Sequence, residues 1–308
     1  MQQSASVARR AVKAFKRDKW LYLIIAPVVI YFVLFKYAPM YGLIIAFQDY
    51  SPFKGIAGSR FVGWKNFSMF FESVYFFRLL RNTLLISLYN LIFSFPVPIL
   101  LAILFNELHS AKFKKLIQTA SYLPHFISTV VVVSMLTMML NSYNGIVNNI
   151  IEALGGERVS FLQEPKMFRA IYVGSGIWQS AGWGSIIYLA AIAGVPQEYY
   201  EAATIDGAGR FGKIWYVTLP AILPTIIILL IMNMGSMLSV GYEKILLMYN
   251  SLTYETADVI STYVYRRGIL NNEYGYSTAV DLFNSVVNLT LVVITNLVSR
   301  KISEVSLW

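Results

Sequence analysis

The 308-residue sequence contains no cysteine, which excludes disulfide frameworks, thiolate metal sites and cysteine nucleophiles. Histidine occurs only as His109 and His125, too sparsely for an imidazole metal site, so both read as ordinary loop or interface residues. Charge is scarce: Asp, Glu, Lys and Arg make up 13% of the chain, against about a quarter in ordinary globular proteins. No Gly-x-Ser-x-Gly elbow and no His-Glu metalloprotease pattern occurs, which excludes those two kinds of hydrolase. The string Gly207-Ala-Gly-Arg-Phe-Gly212-Lys213-Ile214 approaches a phosphate-binding loop. It puts Ile214 where Ser or Thr must reach Mg²⁺, and it follows a helical rather than a strand pattern. Nucleotide binding and covalent chemistry are therefore not expected of this chain.

What the sequence has in abundance is apolar length. Hydrophobic residues make up 57% of it. Uncharged runs cover 83–105, 118–151 with His125 inside, 170–197, 214–242 and 282–299, and 21–47 is interrupted only by Lys36. Each is near or above the roughly 18–20 residues that cross a bilayer as helix. Six spans follow, at about 21–47, 83–105, 119–140, 170–193, 220–240 and 277–298, in one transmembrane domain covering 1–308. The first run is too long for a signal-peptide core and has no small-residue cleavage site, so no cleavable leader is expected. Pro27, Pro39 and Gly42 predict a kink or a broken outer end in span one.

A net charge of +9 would suggest nucleic acid in a soluble chain. Here the basic residues cluster at span ends, so membrane topology accounts for them and no nucleic-acid partner is expected. Arg9, Arg10, Lys13, Lys16, Arg17 and Lys19 precede span one, and Lys112, Lys114 and Lys115 follow span two. Both clusters put the N-terminus in the cytoplasm, and six spans bring Arg300-Lys301 to the same side.

Between spans four and five lies a polar, helix-forming stretch, 194–219. Pro196 suits a first helical turn, and Glu198 and Glu201 complement the positive end of a helix dipole. Asp206-Gly207 ends that helix at a residue tolerant of positive φ. A second short element, 210–216, carries Phe211, Ile214 and Trp215 before Leu219-Pro220 opens the next span. Such a helix–glycine–helix knob has surface but no pocket, and reads as something another protein grips.

The order Glu201-Ala202-Ala203, Gly207, Val217, Leu219-Pro220 resembles the coupling loop of ABC importer permeases, with Val217 where the family usually has isoleucine. Ala-Thr-Ile-Asp206-Gly-Ala-Gly with Phe211, Ile214, Pro220 and Pro224 resembles the carbohydrate-uptake branch. The segments 46–50, 61–67 and 81–83 are also similar to it, so the resemblance spans the chain. It extends to permeases for polysaccharide-derived oligosaccharides such as rhamnogalacturonan or alginate fragments. The resemblance implies an all-α integral membrane protein with six transmembrane helices and the type I ABC importer permease (MetI-like) fold, in a bacterial cytoplasmic membrane. It implies Glu201, Ala202, Ala203, Asp206, Gly207, Leu219 and Pro220 as the ATPase-coupling residues. The implied partners are a second homologous permease, two copies of a cytoplasmic ATPase that binds the ATP and Mg²⁺, and an extracytoplasmic solute-binding protein. No cofactor and no metal are expected on this chain, and it is not expected to be an enzyme.

Polar residues at helical spacing mark candidate pathway faces. Span two carries Thr83, Ser87, Asn90 and Ser94, and span three Ser134, Thr137 and Asn141. Span five carries Asn233 and Ser236, and span six Asp281, Asn284 and Asn288. In span four Trp178 and Gln179 stand amid the small residues Gly174, Gly176, Gly182 and Gly184, whose ordinary use is close helix packing. Trp178, Gln179, Asn233, Ser236, Asp281, Asn284 and Asn288 are the expected substrate-pathway residues, suited to sugar rings that stack on aromatics and bond to amides. An ion-coupled secondary transporter, or an ABC permease for another small polar solute, is the alternative. Ion coupling would call for several charges buried mid-span, and only Asp281 approaches that.

Overall fold

A computed structural model describes residues 17–303 and 306 of the chain. Arg9, Arg10, Lys13 and Lys16, on which the orientation argument leans, lie outside the described residues. Among the described residues the regular structure is helical apart from a two-stranded antiparallel hairpin, β1 (Gln48–Asp49) with β2 (Arg60–Phe61), in which Gln48 faces Phe61.

The long helices are α1 (Lys19–Phe47), α3 (Phe76–Asn106), α7 (Pro165–Ala193), α9 (Arg210–Gly235) and α12 (Tyr274–Ser303). Shorter ones are α2 (Lys65–Phe71), α4 (Ala111–Phe126), α5 (Thr129–Met139), α6 (Ile146–Ala153), α8 (Gln197–Ile205), α10 (Tyr242–Met248) and α11 (Ile260–Tyr265). By length and composition four continuous helices among the described residues, α1, α3, α9 and α12, can cross a membrane, and the bent pair α4–α5 would make a fifth. α7, with 29 residues, is as long as these but less apolar. Its glycines, serines, Gln179 and tryptophans lower its hydropathy because it runs between the other helices rather than along lipid.

Two expectations need correction. Span three is not one rod: α4 and α5 meet at 99°. Pro124 sits in a tight 3₁₀ turn, Ile127 is extended, and Ser128 accepts the Val131 N–H as the N-cap of α5, so the ladder stops and restarts. Nor does Leu219-Pro220 open span five, since α9 runs unbroken from Arg210. A π-helical turn over Ile214–Thr218 lets it pass Pro220. Similar turns at Val33–Tyr37 and Asn90–Ser94 precede Pro39 and Pro96. Each of these prolines comes two residues after such a turn, which widens the helix at the carbonyl four residues back, where the ring would otherwise clash. The predicted interruption of α1 therefore takes the form of altered winding, π then 3₁₀, within a continuous helix.

Four apolar clusters among the described residues hold the helices, and two of them form layers across the bundle. Ile86, Tyr172, Val240, Ile245 and Val259 form one at the end remote from α8. Ile99, Ala102, Tyr188, Ile192 and Ile222 form the other toward α8. Between helices in lipid no hydrophobic effect drives association, so close approach must supply the attraction. At Gly182 of α7 the backbone lies directly on the Ser121 carbonyl of α4. In α3, α9 and α12 only 17% of the most apolar stretch is buried, and in α1 none. The remaining apolar faces are left for lipid and neighbouring subunits.

Candidate functional site

The knob between α7 and α9 is built as its residues dictate. α8 ends at Gly207, whose φ of +79° is the left-handed conformation glycine tolerates. The Ala208 N–H bonds the Ala203 carbonyl at 2.8 Å and the Gly207 N–H bonds that of Thr204 at 3.1 Å, a Schellman closure. Tyr200 ties α8 to the π turn of α9 through Thr218 at 3.1 Å, and Arg210 donates to His109 Nε2 at 3.3 Å. Glu201, Ala202, Asp206 and Gly207 are exposed and Ala203 is half-buried. Ile205 and Phe211 are 87% and 88% exposed, large apolar side chains left uncovered on the knob. Leu219 sits apart from this surface, packed against the layer that holds Ile99, while Pro220 is exposed on α9.

Between the two apolar layers opens a cavity of about 500 Å³. Asn90 and Ser94 from α3, Ser180 and Trp183 from α7, and Asn233 and Ser236 from the end of α9 line it. The indole of Trp183 stacks on His125, with centroids 4.8 Å apart. Asn233 and Ser236, two of the expected pathway residues, therefore reach the same space. Asn288 does not line it but braces its wall: its Oδ1 accepts the Leu238 N–H at 3.0 Å and its Nδ2 donates to Ser239 Oγ at 3.3 Å. Ser87 donates to the Met237 carbonyl and fixes the same break. Asn284 is buried, with an Oδ1 that has no partner among the described residues.

The other expected pathway residues fall elsewhere. Trp178 lies on a separate apolar groove of about 470 Å³ with Val132, Met135 and Met139. Gln179 donates to the Ile127 carbonyl at 2.9 Å, bracing the α4–α5 bend. Asp281, on the same face of α12 as Asn284 and Asn288, is exposed and does not line the cavity. Ser134 and Thr137 bond carbonyls of their own helix. Asn90 and Ser94 were visible in the span-two stripe, whereas Ser180 and Trp183 were hidden among residues read as packing.

Sequence reasoning also missed two charged features of the segment between α9 and α12. Asp258, fully buried, accepts from Arg266 at 2.8 Å and Arg78 at 3.3 Å. Asn82 donates to the Asp258 and Glu255 carbonyls and accepts from Arg169 at 2.8 Å, so one network joins the starts of α3 and α7 to this segment. Lys244 of α10, 9% exposed, donates to the Tyr172 carbonyl at 3.0 Å. Burial draws its ammonium down to a pKa of about 8. No group of three His, Asp or Glu among the described residues is arranged to hold a metal.

A family model described as binding-protein-dependent transport system inner membrane component matches residues 94–304. Protein LplB of Bacillus subtilis (strain 168) is 49% identical over 295 residues, 96% of this chain and 93% of that one. The polygalacturonan/rhamnogalacturonan transport system permease protein YteP of the same organism is 47% identical, covering 95% and 91%. Among solved structures, a chain from a bacterial ABC transporter involved in the import of the acidic polysaccharide alginate superposes with a TM-score of 0.89. It is 45% identical, over 96% of this chain and 99% of that one. A chain from a bacterial alginate ABC transporter, solved in complex with an alginate pentasaccharide-bound periplasmic protein, also superposes with a TM-score of 0.89, at 44% identity over 96% of this chain and 99% of that one.

Proposed function

The chain belongs to the family of binding-protein-dependent transport system inner membrane components, and from that premise we propose that it passes oligosaccharides across the cell membrane as the permease subunit of an ABC importer. A solute-binding protein delivers the sugar on the face remote from α8, and a second permease completes the pathway. The carrying observation is the cavity between α3, α7 and α9, edged with amides and hydroxyls, which lies within the bundle between its two apolar layers while the knob stands exposed beyond one of them. Its amides, hydroxyls and one indole face suit sugar rings. Glu201, Ala202, Ala203, Asp206 and Gly207 present the knob to a separate ATPase subunit, which supplies the ATP hydrolysis, with both termini on the cytoplasmic side. Leu219, with Pro220 beside it in α9, seats the helix that leaves the knob against the apolar layer around Ile99. Closure of two such ATPases moves the knobs and shifts the bundle between two rigid states.

The test is reconstitution of the chain in proteoliposomes with its homologous permease, the ATPase pair and the binding protein. Uptake and ATP hydrolysis should both rise when an oligosaccharide-loaded binding protein is supplied. Uptake that follows a proton or sodium gradient without ATP would replace this reading by ion coupling.

A further inference from the structure

After α9 ends at Gly235, the chain turns back and lays α10 against α5 and the far half of α7. Lys244 of α10 is thereby carried inward. Its Nζ stands 4.9 Å from the centroid of the Tyr172 ring and donates to the Tyr172 carbonyl at 3.0 Å. A methyl group added at Gly176 would lie 3.5 Å from the same nitrogen. Tyr172, Gly176 and Gly241 all line the 500 Å³ cavity, so the ammonium sits at its margin, beside a residue without a side chain.

An ammonium has three N–H donors, and here one carbonyl accepts. No carboxylate among the described residues forms an ion pair with Lys244, whereas buried Asp258 takes two arginines. A charge taken out of water without a counter-charge is costly, and a ring face offsets only part of that cost. The depressed pKa, about 8, expresses the cost, yet the group keeps most of its charge at neutral pH. Packing alone would be served better by Met or Leu at this position.

We propose that Lys244 is a specificity-determining residue of the translocation cavity, binding the carboxylate of an acidic oligosaccharide as it passes Gly176 and Tyr172. This rests on the oligosaccharide-permease reading and narrows its substrate class to sugars bearing carboxylates. A charge-assisted bond from a buried donor corresponds to roughly ten- to hundred-fold in recognition.

The experiment uses the assembled transporter with its binding protein in proteoliposomes. It compares an oligouronate with the same oligosaccharide after its carboxyls are reduced to alcohols. Wild type should transport the oligouronate at least about tenfold better. Lys244→Met should lose that preference while transporting the reduced sugar as before, and Lys244→Arg should keep it. A Lys244→Met that slows both sugars equally, or neither, overturns the proposal. Should that variant not assemble, wild type titrated with pH decides. Apart from the Tyr172 ring beneath it, no titratable side chain among the described residues hydrogen-bonds or ion-pairs with Lys244, so the preference should fall as pH rises through about 8 while reduced-sugar transport holds. A preference unchanged to pH 9.5 overturns it. If neither sugar stimulates ATP hydrolysis, the oligosaccharide reading itself fails. Equal stimulation by both in wild type removes only the role of Lys244.

Discussion

Gly182→Ala adds one methyl group where α7 crosses α4, and it should be the most damaging small substitution in the bundle. The new carbon would lie 2.5 Å from the Ser121 carbonyl carbon, and closer still to its oxygen. Ordinary contact begins near 3.4 Å. Both partners are backbone, so no side chain can turn aside and the two helices must part by roughly 1 Å. Overpacking of this kind costs about 1–3 kcal/mol, more than the gain of up to about 1 kcal/mol from replacing a helical glycine. Separation also displaces the neighbouring Trp183 and the His125 it stacks on, which puts the fault at the cavity wall. Gly184→Ala is the control on the same helix. There the methyl meets Pro98 side-chain atoms at 3.2 and 3.3 Å, a strain relieved by tenths of an ångström. With the cost at the upper end of that range, about 2 kcal/mol net, thermal unfolding of the purified transporter should show Gly182→Ala lower by roughly 4–8 °C, at about 2–4 °C per kcal/mol. Gly184→Ala should stay within about 2 °C of wild type on the same scale. Equal midpoints for the two variants would refute the claim that backbone contact at Gly182 sets the α4–α7 distance.

Two further outcomes follow from the same geometry. Gly207→Val should abolish coupled uptake while Gly207→Asn retains it, because nothing lies within 4 Å of an added Cβ and only the +79° φ discriminates. Uptake assays on membranes with matched permease levels check this, and equal uptake by the two would show that the Schellman turn is dispensable. Asp258→Ala leaves Arg78 and Arg266 without their carboxylate. It should cost about 3 kcal/mol, toward the low end for a broken buried pair because these arginines remain 32% and 25% exposed. A thermal midpoint shifted by less than about 1 °C would mean that water solvates both arginines.

The sequence alone determined the membrane class, the long helices and the knob. These depend on local properties: apolar length, helix-compatible composition, and a glycine at a helix end. Gly207 could be read as a left-handed stop because a Schellman closure is completed by residues only five positions apart. The helices outrun their apolar runs, as Phe76 and Pro165 show, since hydropathy marks the part facing lipid and not where hydrogen bonding begins. Membership of the cavity was a tertiary matter. Asn233 and Asp281 look alike as polar residues in spans, but only the first reaches the space between α3 and α7. The Asp258 network joins residues more than 170 positions apart through Asn82. Lys244 meets the Tyr172 carbonyl across 72 positions. No periodicity within one segment encodes such distances, because they depend on how α10 folds back once α9 has ended. The 99° bend at Ser128 is different: Pro124 and the capping Ser128 were local signals for it, but hydropathy concealed them, since an uncharged run carries the same hydropathy whether it is straight or broken.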